Sequence, residues 1–400
     1  MTPRNVVVVG ASVAGVHTVR TLRRQGYDGR LTLLDAEPEL PYDRPPLSKQ
    51  LLADDLDESD IRLLTDDQLV DFDIEAMLGT PARSLDIGGR RIGTDNGGIS
   101  FDGLVIATGS VPVRPRGWGS LDGVHVLHSL GDARGLRADL ARGRPHVVIV
   151  GAGFIGCEIA SSARARGLDT TVVEIQPLPL QRALGPALAA PLMRLHQDHG
   201  VRMLCDVGVA RLLGRNRVEE LELTNGTRIS ADVVVLGVGT APATDWLVAS
   251  GLEITDGVAT DRMLRTAVPG VYAAGDAARW PHGRSCSLRV ELWTNAREQG
   301  ARAAANLLRP DAAEPYNGVP YRWSEQHGRL LQIAGSTHGG DIRFLRGGPD
   351  DGSWLAVLVD EELVVGAVGF DQGVAFRQFR RLIAERISWS ALPDHYDSRA

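Results

Sequence analysis

Lysine is nearly missing from this sequence. All but one of its 43 basic residues are arginine, and the exception is Lys49. A codon bias that replaces lysine by arginine accounts for the excess, but not for the one position that stays lysine. Lysine is a compact donor whose pKa can shift, whereas arginine is a wide planar fork that stays charged. Cysteine is also scarce. Cys157, Cys205 and Cys286 are far apart and form no C-x-x-C, which argues against a disulfide framework, a zinc site and a dithiol redox pair. No metal site is expected. No apolar run reaches the roughly 18 residues of a membrane span. The N-terminus meets an apolar stretch of only four valines, too short for a signal-peptide core, so a cytoplasmic location is expected. An excess of positive charge is missing too. The formal net charge is -7, which argues against nucleic acid as a partner. With 43% hydrophobic and 23% charged residues over 400 positions, the composition is that of a folded chain with several cores.

What is present is a repeated pattern. Val6-Val7-Val8-Val9 leads into Gly10-Ala11-Ser12-Val13-Ala14-Gly15, and a helix is expected to about Gln25, with Gly26 as its C-cap glycine. A second strand, Leu31–Leu34, ends in Asp35-Ala36-Glu37. This is a βαβ opening with a G-x-S-x-x-G turn and acids after its second strand. Ser12 is small enough for a pyrophosphate to approach the backbone, although a plain strand–helix turn has the same pattern. The pattern then returns. His146–Val150 leads into Gly151-Ala152-Gly153-Phe154-Ile155-Gly156, a helix runs to about Arg166, and the strand Thr170–Val173 ends at Glu174. Here the glycines make the turn and admit phosphates, the helix N-terminus faces their charge, and the acid can take ribose hydroxyls. Two such units point to two dinucleotides, or to one dinucleotide and a flavin.

Three further strands end in short glycine signals. Leu104–Ala107 precedes Thr108-Gly109, Val233–Leu236 precedes Gly237-Val238-Gly239, and Gly270–Ala274 precedes Gly275-Asp276. Their order implies one nucleotide domain inserted within another. From about Tyr321 the character changes. Leu330–Ala334, Trp354–Val359 and Val364–Gly369 read as strands and Phe376–Ile387 as an amphipathic helix. The fold class expected is α/β, with two Rossmann-like domains and a small α+β C-terminal domain.

At this point the residues resemble a known family, the FAD-dependent NADH:ferredoxin and rubredoxin reductases of oxygenase systems. Apoptosis-inducing factor and glutathione reductase are its fold relatives. The hallmark segment is Leu40-Pro41-Tyr42-Asp43-Arg44-Pro45-Pro46-Leu47-Ser48-Lys49. Glu291-Leu292-Trp293-Thr294-Asn295-Ala296, followed by Gln299-Gly300, is a second match, and Trp323-Ser324-Glu325-Gln326 a looser third. The resemblance implies a discontinuous FAD domain (1–113 and 241–320), an NADH domain (114–240) and a C-terminal reductase domain (321–400). It places the FAD pyrophosphate at Gly10, Ser12, Val13, Ala14 and Gly15, and the adenosine ribose at Glu37 with Asp35 and Ala36. Arg44, Lys49, Ala82, Thr108, Gly109, Asp276, Glu291 and Trp293 complete the FAD side, although Trp293 could equally be a core aromatic. Gly151, Gly153, Phe154, Ile155, Gly156, Glu158, Glu174, Gly237, Val238 and Gly239 would hold the nicotinamide dinucleotide. Lys49, Glu158 and Trp293 are the residues expected to be catalytic, with Glu158 touching the nicotinamide amide and pairing with Lys49 across the domains. Three positions depart from the family pattern: His128 for an arginine, Arg322 for an aromatic and Glu325 for an aspartate.

The chemistry implied is hydride transfer from NADH to flavin, followed by single-electron release to an iron–sulfur ferredoxin that feeds an oxygenase. The cofactors supply the chemistry and the protein supplies position and charge. Lys49 suits a site that gains negative charge on reduction. Glu158 also reads more simply, as an acid near a helix N-terminus, favoured by about 0.3–1 kcal/mol. Glu174 favours NADH over NADPH, because a carboxylate accepts from the 2′-hydroxyl and repels a 2′-phosphate. Cys157 reads as a small helix residue; without a flavin-facing thiol, thiol-dependent reductases of similar fold are disfavoured. Between Asp276 and Arg309, six arginines (Arg279, Arg284, Arg289, Arg297, Arg302, Arg309) stand against three acids. A ferredoxin is acidic, so this stretch together with part of the C-terminal domain is the expected docking face, unless its charges simply face solvent. A rubredoxin or quinone reductase, or a flavoprotein that senses NADH without turnover, fits the same motifs. A monomer or weak homodimer is expected.

Overall fold

The computed structural model describes residues 3–118, 121–282 and 286–392. Contacts divide the chain into two units. The first holds residues 1–43, 59–111 and 240–318; the second holds 44–58, 112–239 and 319–400.

In the first unit the valines of Asn5–Val9 form the middle strand of a parallel sheet. Its order is Val271–Ala273, Gly103–Ile106, Asn5–Val9, Arg30–Leu34, Glu75–Met77. Val6 and Val8 face one core while Val7 and Val9 face another. A sheet covered on both faces selects such a β-branched run, and each fully buried valine contributes about 1.5–3 kcal/mol. Helix Val13–Arg24 carries the chain back to Arg30–Leu34 and packs against helix Trp293–Leu308. Gly300 permits that approach, because a Cβ there would overlap the carbonyl oxygen of Ala14. Thr18 Oγ1 joins the two helices, 2.8 Å from the Ala14 oxygen and 3.1 Å from the Gly300 oxygen. Antiparallel strands Ala82–Asp86, Arg91–Thr94 and Gly97–Ser100 form a separate small sheet.

The second unit repeats the plan. Its parallel sheet runs Arg202–Leu204, Thr170–Val173, Val147–Val150, Val233–Leu236, Val124–His125. Helix Phe154–Ala165 follows the second glycine turn. The last part of the chain forms a five-stranded antiparallel sheet, in the order Tyr321–Gln326, Arg329–Gly335, Leu363–Phe370, Trp354–Asp360, Asp341–Arg346. Phe376, Phe379 and Leu382 pack into its core.

Two local features differ from the sequence expectation. The helix expected over Phe376–Ile387 is only Phe379–Ala384, after a 3₁₀ turn at Gly373–Phe376. Arg386 takes φ +54°, and the bonds from Arg386 N to Ile383 O and from Ile387 N to Leu382 O close the helix there. Tyr321–Gln326 is a strand whose buried positions, Ser324 and Gln326, are polar, so apolar alternation does not announce it. No described helix is long and apolar enough to cross a membrane.

Candidate active site

Both glycine turns are shaped by close backbone approach. A Cβ at Gly10, which has φ +108°, would overlap the Ala107 oxygen, and one at Gly15 would overlap the Gly10 oxygen. In the second turn a Cβ at Gly151 or Gly156 would likewise overlap the oxygens of Gly237 and Gly151. The residues preceding the two helices, Ser12 and Gly153, make no side-chain cap. The first-turn N–H groups at Val13, Ala14, Phe154 and Ile155 are therefore the natural donors to an anion.

The acids close both turns in the same way. Asp35 accepts from Ala11 N and, at 2.7 Å, from Glu37 N. Glu174 accepts from Ala152 N at 2.6 Å and from Gln176 N at 2.8 Å. Asp35 is thus the positional counterpart of Glu174. Glu37 lies beyond Ala36 and accepts from the Tyr42 hydroxyl.

Turns and hydrogen bonds fix the other expected residues of the first unit. Thr108 Oγ1 donates to the Ala243 oxygen at 2.8 Å, and Gly109 takes φ +71°. Asp276 lies in the 3₁₀ turn Gly275–Ala277, 3.5 Å from Ser110 Oγ. Ala82 opens its strand opposite Thr94. Glu291 is held by Arg289 at 2.7 Å and by the Thr240 hydroxyl. Trp293 is half-buried, and its Nε1 donates to Asp43 of the hallmark segment at 2.7 Å. The Arg297 guanidinium lies 5.5 Å from its ring centre. The indole therefore uses its polar handle as well as its apolar body.

In the second unit Gly237 N donates to the Val150 oxygen at 2.8 Å, Gly239 takes φ +108°, and Val238 and Ile155 are exposed. The centre of this unit is the Lys49–Glu158 pair. Lys49 Nζ lies 2.6 Å from Glu158 Oε2. The side chains are 11% and 5% exposed. Lys49 also donates to the Pro45 oxygen at 3.1 Å. Ser48 Oγ donates to the same carboxylate oxygen at 2.5 Å, and Ser324 Oγ to the other, Oε1, at 2.7 Å. Ser162 in turn donates to the Ser48 oxygen at 2.7 Å. A buried ion pair persists only when its remaining hydrogen-bonding capacity is met, and these hydroxyls meet it.

Three expectations need correcting. Lys49 and Glu158 meet inside one unit, because the chain passes into the second unit at Arg44. Glu158 is the fifth residue of its helix, outside the first turn, so three side-chain donors and not the helix dipole hold it. Arg289 is no docking residue, because its side chain is 10% exposed and bound to Asp256 and Glu291. Acids from outside the counted stretch reduce the basic face further, since Arg302 pairs with Glu314. Arg297 pairs with Glu298, and Arg279 donates to Thr255. Arg284 lies outside the described residues. Arg44 donates to the backbone oxygen of His128, and the His128 ring Nδ1 lies 3.4 Å from the same Arg44 nitrogen. Arg322 lies over the Phe154 ring at 4.2 Å. Glu325 is exposed and accepts from Gln50 at 3.3 Å. Cys157 is buried, and that burial pushes its thiol pKa up, as befits a packing residue. Ser48 lay within the hallmark segment and Ser324 within the looser motif, yet neither was expected at Glu158. Their signal was a hydroxyl at a position the fold buries.

Residues 4–300 match the pyridine nucleotide-disulphide oxidoreductase family, and residues 321–394 match the reductase C-terminal family. The chain belongs to the pyridine nucleotide-disulphide oxidoreductases. Rhodocoxin reductase of Rhodococcus erythropolis is 36% identical over 352 residues, covering 87% of this chain and 82% of that protein. The ferredoxin–NAD(+) reductase subunit of the benzene 1,2-dioxygenase system of Pseudomonas putida is 34% identical, covering 96% and 93%. Among solved structures, putidaredoxin reductase in its covalent complex with putidaredoxin superposes with a TM-score of 0.91. It is 27% identical, with 97% of this chain and 94% of that one covered. As a member of the pyridine nucleotide-disulphide oxidoreductases, the protein is an oxidoreductase with two parallel nucleotide-binding sheets and a C-terminal sheet domain.

Proposed function

We propose that this protein takes electrons from NADH through FAD and delivers them to an iron–sulfur ferredoxin that serves an oxygenase in the cytoplasm. The Lys49–Glu158 pair, buried beside the second glycine turn, carries this reading. The residues present fit both cofactors. Gly10 to Gly15 leave room for the FAD pyrophosphate, with Glu37 and Asp35 on the ribose side. Arg44, Lys49, Ala82, Thr108, Gly109, Asp276, Glu291 and Trp293 complete that set. Gly151 to Gly156, Glu174 and Gly237 to Gly239 take NADH. FAD, when bound, accepts a hydride and releases its electrons one at a time, which a one-electron carrier needs. Lys49 supplies a fixed cation in a poorly solvated setting, where charge is screened least. Glu158 supplies an acceptor for the nicotinamide amide. Supporting evidence comes from relatives that are ferredoxin reductase components of oxygenase systems, and from a neighbour solved with its ferredoxin partner.

A coupled assay tests the acceptor. NADH oxidation that passes through added ferredoxin to cytochrome c, and weakens with salt, is the expected result. NADH oxidation with quinone or rubredoxin but none with ferredoxin would move the protein to another acceptor class.

A further inference from the structure

The strand Tyr321–Gln326 and the helix Phe154–Ala165 meet in register. On the strand, Arg322, Ser324 and Gln326 share one face. On the helix, Phe154, Glu158 and Ser161 share another. Arg322 lies over Phe154, Ser324 Oγ bonds Glu158 at 2.7 Å, and His327 N bonds Ser161 Oγ at 2.7 Å. From Phe154 to Glu158 the helix rises about 6 Å, and from Arg322 to Ser324 the strand rises about 6.6 Å.

A chain of hydrogen bonds continues from Ser324. A carboxylate only accepts, so the Ser324 hydroxyl donates to Glu158. Gln326 Nε2 donates to Ser324 Oγ at 3.0 Å, which leaves Gln326 Oε1 to accept from His196 Nε2 at 3.1 Å. His196 then carries its proton on Nε2 and accepts at Nδ1 from His327 Nε2, 3.0 Å away. Every donor points towards Glu158. Ser324, Gln326 and His196 are at most 1% exposed. Burial keeps both imidazoles neutral, with His196 lowered to about 4 and His327 to about 3, so the direction of the chain is stable near neutral pH.

The geometry points to Ser324 as a positioning residue for Glu158, with Gln326 and His196 fixing the direction in which its hydroxyl donates. Ser324 holds Oε1 while Ser48 and Lys49 hold Oε2, so the Glu158 carboxylate is held in one orientation. The C-terminal sheet thereby sets the orientation of a carboxylate on the nucleotide-binding helix. Its use towards nicotinamide rests on the electron-transfer reading above; the effect on Glu158 does not.

The test follows the Glu158 carboxyl by carbon NMR in glutamate-labelled protein at one fixed neutral pH, assigned by the signal that Glu158→Gln removes. Ser324→Ala, which deletes the donor to Oε1, should displace that signal. Ser324→Thr, which keeps the hydroxyl, should restore the wild-type position. Gln326→Met should displace it in the same direction by a smaller amount. An unchanged signal in Ser324→Ala, or in Gln326→Met if the alanine variant does not fold, overturns the proposal. A wild-type holoprotein that NADH fails to reduce would instead overturn the electron-transfer reading and leave this spectrum informative.

Discussion

Glu174 accepts from two backbone N–H groups, Ala152 at 2.6 Å and Gln176 at 2.8 Å, which fixes its carboxylate at the glycine turn. The first arginine after it is Arg182, so no cation stands in the adjoining segment to greet a 2′-phosphate. The protein should therefore prefer NADH to NADPH in kcat/KM. Glu174→Ala should narrow that preference by about 10-fold or more, the scale of one hydrogen bond to a charged group. Equal kcat/KM for the two cofactors in the wild type would contradict this. At the residue scale the glycine turns were legible, because each has a local geometric reason to be there. At the first turn, however, the bonded acid is Asp35, while Glu37, the acid named first for it, accepts from Tyr42. Lys49 was legible twice, as the sole lysine and as part of the hallmark segment. Ser324 was not, because its partner lies 166 residues away and a single serine carries no local pattern.

Among the elements, the first strands and helices were legible because apolar runs, caps and glycines agree. Helix Val13–Arg24 ends at Gln25 and helix Phe154–Ala165 at Arg166, followed by left-handed Gly26 and Gly167. The strand Tyr321–Gln326 was hidden, since its buried side is polar and only the helix opposite explains it. The end of Phe379–Ala384 was hidden for a different reason: Arg386 takes the left-handed position that glycine usually marks. Packing between elements is also where Gly300 acts. A Cβ there would overlap the Ala14 oxygen, so Gly300→Ala must push helix Trp293–Leu308 away from helix Val13–Arg24. The expected cost is about 1–3 kcal/mol, visible as an earlier thermal transition. An unchanged melting curve would mean that the two helices tolerate the extra methyl group.

For the whole molecule, the insertion of one nucleotide unit within another was legible from motif order alone. The assignment of Arg44–Glu58 to the second unit was not, because it depends on contacts between segments distant in sequence. Arg134 binds Glu58 at 2.6 Å, while Arg137 and Arg166 both bind Asp54 at 2.5 Å. These bonds carry the Lys49 segment with the helix that bears Glu158. The central claim is that electrons pass from NADH through FAD to ferredoxin, with Lys49 assisting the first transfer. Anaerobic stopped-flow absorbance tests it most directly, with wild-type and Lys49→Ala holoprotein mixed first with NADH and then with oxidised ferredoxin. The account predicts rapid flavin bleaching in the wild type and recovery on addition of ferredoxin. It predicts bleaching slowed by about 10-fold to 100-fold in Lys49→Ala, with FAD retained. Flavin that NADH leaves oxidised in the wild type, or a variant that bleaches at the wild-type rate, would contradict it.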